Sequence, residues 1–73
     1  MKIKPVGSNQ TELHKDDGTV VLFSYETPVA ALVPGRGWLK TDVKYSKTTS
    51  KHINQWGSSY ETVPQSEIDK LAN

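Results

Sequence analysis

The chain contains no cysteine, which excludes disulfides and thiolate metal sites together; packing and backbone hydrogen bonds must hold whatever fold forms. It also lacks a long apolar run. The longest, Val29 to Val33, falls far short of the ~20 residues a membrane helix needs, and the opening MKIKPVGSNQ has no apolar h-region. These absences lead us to expect a soluble, cytoplasmic protein without an export signal, and a reducing compartment suits a cysteine-free chain. An excess of one charge is missing too. Nine Lys plus Arg against eight Asp plus Glu leave a formal net charge of +1, which neither requires nor forbids nucleic acid as a partner. The 73 residues have room for one domain, 1–73, with a thin core. A hydrophobic share of 34% is low, but the apolar residues are clustered rather than scattered, which indicates an ordered fold with polar ends.

What is present begins with the period of strands. Thr11 to Lys15 leads into Asp17-Gly18, and Thr19 to Tyr25 follows. Asp-Gly between such runs favours a two-residue type I′ hairpin, which sets Leu13 opposite Leu22 and His14 opposite Val21. TVVLFSY is apolar on both faces, with Leu22 and Phe23 as core residues, so this strand belongs at the centre of a sheet covered on both sides. Thr27-Pro28 is expected to break the run, because proline offers no N–H. Val29 to Val33 resumes as a strand, Pro34 to Gly37 is turn chemistry, and Trp38 to Lys44 returns as a fourth strand. Residues 1–10 are a polar segment in which Lys2 to Val6 is available as a fifth, edge strand.

After Val43 the period changes. Thr48, Thr49 or Ser50 can cap a helix, and Gly57 is placed to end it in the left-handed conformation. Thr49, His52, Ile53 and Trp56 share one side at i, i+3, i+4, i+7 spacing, with Ser50, Lys51, Asn54 and Gln55 on the other. Ser58 to Thr62 reads as a polar loop. Val63-Pro64 then opens a last helix, in which Ser66-Glu67-Ile68-Asp69 has the form of a capping box and Ile68 and Leu71 are the anchors. The expected fold class is α+β: an antiparallel four- to five-stranded meander followed by two short helices packed on it.

The succession LFSYETPVA, a glycine turn, KT, YSKTTSKHINQW and VPQSEID resembles a small domain family of uncharacterised function from tailed phages and other mobile elements. The likeness runs from Val21 to roughly Leu71 and leaves the polar N-terminus outside. It implies a compact α+β domain in a phage or mobile-element setting, encoded for work in a host cell. It supplies no substrate, cofactor or catalytic residues.

No set of residues demands an enzyme. His52 lies on the inward side of its helix, where a packed histidine bonded to a carbonyl or hydroxyl is expected, and a general base would need a nucleophile and an orienting partner. Asp42, Ser46 and His52 make a triad only on paper, since no nucleophile elbow surrounds them. His14, His52 and Asp16 lack metal-ligand spacing, and no metal or cofactor is expected. Pro34 to Gly37 lacks the lysine and serine of a phosphate loop. The remaining candidate is a binding surface: Arg36, Lys40, Lys44, Lys47, Ser50, Lys51, Asn54 and Gln55, a basic segment interrupted only by Asp42 while the other acids lie elsewhere. Free N–H groups at the helix start, hydroxyls and lysines suit a phosphate oxygen, and Asn and Gln can read adenine edges. We therefore expect a non-enzymatic binding protein with a protein partner, a host factor being one candidate, and nucleic acid as the alternative. An edge strand, Val29 to Val33 or Lys2 to Val6, offers a further route to a partner or a second copy.

Overall fold

The computed structural model describes all residues, 1–73. Its strands are β1 (Lys2–Gly7), β2 (Gln10–His14), β3 (Val20–Ser24), β4 (Thr27–Val33), β5 (Gly37–Thr41) and β6 (Glu61–Val63); its helices are α1 (Lys47–Trp56), between β5 and β6, and α2 (Gln65–Ala72). The strands form one six-stranded sheet in chain order. The first five make an antiparallel meander, and β6 adds to β5 in parallel. The α+β class is as expected, but the sheet has one strand more. A parallel neighbour needs a crossover, and α1 supplies it. The residues read as a polar loop, Ser58 to Thr62, in fact run into β6.

β3 is buried on both faces, with Val21 and Leu22 both at 0% exposure. Side chains alternate across a sheet, so these neighbours belong to different layers. Leu22, Val29 and Ala30 pack with Ile53 of α1, against half-buried Trp56 and Tyr60. Leu13, Val21 and Ala31 form a cluster with Phe23, Val33 and Leu71, while Leu39 and Val63 surround Ile68 of α2. The two helices thus cover opposite faces. Phe23 and Leu71, expected as core, are only half-buried: Phe23 lines an open groove on the α2 face, and Leu71 packs against both apolar clusters of that face near the end of the chain's last helix.

The β2–β3 register differs from the expected one. Leu13 pairs with Val21 and His14 with Val20. The Gly18 N–H donates to Lys15 O and the Lys15 N–H to Thr19 O, closing a three-residue loop of Asp16, Asp17 and Gly18 with Gly18 at φ +92°. This is the turn-plus-bulge form of the hairpin, and the Asp17 carboxylate secures it by accepting the Thr19 N–H at 2.9 Å. Pro28 does not break the chain. The turn falls at Tyr25 and Glu26, with Tyr25 at φ +60°, and Pro28 sits inside β4 at a bulge that leaves Val29 as the extra residue. Val29–Val33 is therefore not a free edge, since β4 is flanked by β3 and β5, whereas β1 is an edge as expected. The strand expected over Trp38 to Lys44 is β5 and stops at Thr41, where Thr41 Oγ1 accepts the Val43 N–H at 3.1 Å, so Lys44 lies in the loop beyond it.

Helix ends also depart from expectation. Ser46, not Thr48, Thr49 or Ser50, caps α1: in extended conformation it accepts the Thr49 N–H at 3.1 Å. Pro64 precedes α2 without a side-chain cap, so Ser66 lies inside the first turn and the capping box does not form. Gly57 ends α1 in extended rather than left-handed backbone. Its requirement is space, because a Cβ there would come within 2.7 Å of Cδ2 and Cζ3 of Trp38. Trp38 meets Trp56 edge-to-face at 5.2 Å between centroids and Tyr60 at 6.1 Å, so its indole has little room to give. Gly57→Ala should therefore cost ~1–3 kcal/mol of unfolding free energy by overpacking. Gly35→Ala meets nothing within 4 Å but pays for φ +80°, and provides the comparison for backbone strain without crowding in urea denaturation.

Candidate binding surface

The α1 sequence sorts itself by exposure. Thr49, His52 and Ile53 are buried, Trp56 is half-buried, and Lys47, Lys51, Asn54 and Gln55 are exposed. Inside, a chain of hydroxyls joins helix to sheet: Ser46 Oγ lies 3.2 Å from Thr49 Oγ1, which is 2.9 Å from Ser24 Oγ, itself 2.9 Å from Nδ1 of His52. With Ser46 donating to Thr49, one consistent arrangement passes each proton onward and leaves Nδ1 accepting from Ser24. His52 is thus the packed, hydroxyl-bonded histidine its position implied. Ser46 is occupied as a cap, so Asp42, Ser46 and His52 do not assemble as a triad, and Ser24, at 2% exposure, is closed to a substrate.

A second polar anchor comes from Glu12, which sequence reasoning did not single out. Its carboxylate accepts from Trp56 Nε1 at 2.8 Å and from His14 Nε2 at 2.7 Å. Burial alone would raise its pKa; the bonds from Trp56 and His14, with the charges of His14 and Lys4, outweigh that and hold it below the usual carboxylate value. Tyr60 moves the other way: burial pushes its phenol up to about 12, and its hydroxyl donates to Ile53 O at 2.6 Å. With His14 bound to Glu12 and His52 to Ser24, the two histidines serve different clusters.

The eight candidate residues do not form one patch. Lys40, Lys44, Ser50 and Asn54 line a polar cleft of about 280 Å³ between the end of β5, the loop after it and α1, with Asp42 and Thr62 in the same wall. Thr62 reaches the cleft because β6 sets it beside Lys40. Lys47 and Lys51 are exposed on the same helix, and Gln55 is exposed but outside the cleft. Arg36 is diverted. Its guanidinium donates to Glu67 and, at 3.1 Å, to Glu61, and these two bonds raise its pKa, Glu67 foremost. None of Lys40, Lys44, Lys47 and Lys51 makes a salt bridge. Lys40 instead holds its ammonium 6.0 Å over the Tyr60 ring. Tyr45, beside Lys44, has its phenol pushed up by burial and then by the charges of Asp69 and Asp42.

Two outcomes separate structure from surface. His52→Ala should lower stability by ~1–3 kcal/mol, because the Ser24 hydroxyl loses its partner in a buried site, while binding at the lysines is unchanged. Glu12 favours its ionised form in the folded state. Its contribution is therefore complete above the unfolded value near 4.5 and is lost as pH falls through the lower folded value. Glu12→Gln should flatten the acid limb of a stability–pH profile, and an unchanged limb would contradict this.

No curated protein and no solved structure matches the chain. No helix is long and apolar enough to cross a membrane. A family model described as "Family of unknown function (DUF8033)" matches residues 1–70. The match takes in the polar N-terminus that the sequence resemblance had left out, and with all but the last three residues covered, the protein belongs to this family of unknown function.

Proposed function

We propose that this chain is a non-enzymatic binding module, encoded by a phage or mobile element, that docks an acidic protein partner, a host component, on the α1 cleft. One observation carries this reading: Lys40 and Lys44 line a polar cleft, Lys47 and Lys51 are exposed on the helix beside it, and none of the four makes a salt bridge, while Arg36 is engaged by two carboxylates. Exposed lysines are ordinarily just solvated. Here Lys40 and Lys44 share a concave surface with hydroxyl and amide groups, Ser50, Asn54 and Thr62, that can fix the orientation of a carboxylate. The phage setting rests on the YSKTTSKHINQW and LFSYETPVA resemblance, and work in a host cytoplasm follows from that setting. Nucleic acid is the second reading. It draws on the same lysines and on an α1 first turn without an acidic residue, but the net charge of +1 gives it less support than a strongly basic domain would have.

The test is retention of host-lysate proteins by the immobilised wild-type chain and by a Lys44/Lys47/Lys51→Ala variant, at rising salt. A partner retained by wild type, lost in the variant and released by salt is expected. Equal retention by both overturns the proposal. Salt-sensitive binding of random DNA or RNA at low salt, lost in the same variant, replaces it with the nucleic-acid reading.

A further inference from the structure

The other end of the sheet carries a second, independent surface. β1 is exposed at every residue and forms one margin of the sheet. Proline is tolerated in an edge strand where its nitrogen faces outward, and Pro5 pairs with Thr11 there; Ile3, two residues earlier, then turns its N–H and C=O outward as well. The strand has a different cleft on each face. On the α1 side, Lys2 and Lys4 with His14 border a hollow of about 450 Å³. On the α2 side, Ile3, Leu13, Phe23 and Tyr25 line an apolar groove of about 500 Å³. The groove is open because α2 packs chiefly on β3, β4 and β5, away from the β1 margin. Ile3 is 72% exposed and Tyr25 51%, which is unusual for large apolar side chains sharing one groove.

We propose that the outer edge of β1 receives an extended segment of a partner protein whose residues alternate between acidic and apolar, as an added strand of the sheet. Residues on an added strand alternate between the two faces, so every second one would stand beside Lys2 or Lys4 and the intervening one beside Ile3. Neither lysine makes a salt bridge, and Glu12, opposite Lys4, feels the Lys4 charge but gives its hydrogen bonds to His14 and Trp56. A second copy of this chain fits poorly. Two β1 strands side by side would set lysine against lysine on one face. The opposite margin, β6, offers only Glu61, which Arg36 already holds.

Three short synthetic peptides test this by titration followed by NMR: one alternating Glu and Val, one with the same residues in a Glu-Glu-Val-Val repeat, and one alternating Lys and Val. The alternating Glu–Val peptide should bind about tenfold or more tighter than either other, with protection from exchange at the Ile3 amide. Lys2→Glu/Lys4→Glu should transfer the preference to the Lys–Val peptide. The Lys44/Lys47/Lys51→Ala variant should bind the Glu–Val peptide as wild type does, which keeps this surface separate from the α1 cleft. Equal affinity for the two Glu–Val peptides in the wild-type protein, or perturbations centred away from β1, overturns the proposal whatever the variants do.

Discussion

Val21 and Leu22 are neighbours in β3, both fully buried, and they face opposite layers. In a chain of this length, covering both sides of a strand leaves each layer only one helix. That constraint orders the rest of the molecule. β3 must lie inside the sheet, flanked by β2 and β4, and the chain must deliver a helix to each face after the meander is complete. The crossover from β5 through α1 delivers the first. β6 is the short return that lets α2 approach from the other side. Each helix then rests on one isoleucine, Ile53 at 8% exposure and Ile68 at 0%.

With so few apolar contacts per helix, polar bonds carry much of the orientation. Thr49 and His52 meet Ser24 of β3, Trp56 meets Glu12 of β2, and α2 is held by Gln65 Nε2, which donates to Pro28 O at the β4 bulge. The second hydrogen of the same nitrogen goes to Asp69 Oδ1 at 2.8 Å. The hairpin loop contributes from a distance: Lys15 donates to Leu71 O and Asn73 O, placing a cation at the negative end of α2. Sheet and helices are thus cross-linked by groups whose bonds are directional where the apolar core is thin.

What could be read in the sequence was what has a long enough period. Alternation over the strand segments marked the meander and the two-sided β3, and the 3.6-residue spacing sorted Thr49, His52 and Ile53 inward from Lys51, Asn54 and Gln55. Asp17-Gly18 marked a hairpin but not its register, because it suits a two-residue and a three-residue loop alike; the Asp17 side chain on Thr19 N–H decides between them. A three-residue strand such as β6 is too short to show alternation. Gly57 was recognisable as a helix end but not as a contact, since Trp38 lies in a separate element. The candidate surface was half legible for the same reason. Arg36 sits 25 and 31 residues from the acids that engage it, a pairing no local spacing reveals.

The edge-to-face meeting of Trp38 and Trp56 has a practical meaning of its own. These are the chain's two tryptophans, one on the sheet and one on the last turn of α1, with rings 5.2 Å apart and inclined at 85°. Two chromophores so close and so fixed couple optically, so the protein carries an intrinsic reporter for the seating of α1 on the sheet. A ligand entering the cleft beside that helix and shifting it by a fraction of a turn would register in the indole signal without any label.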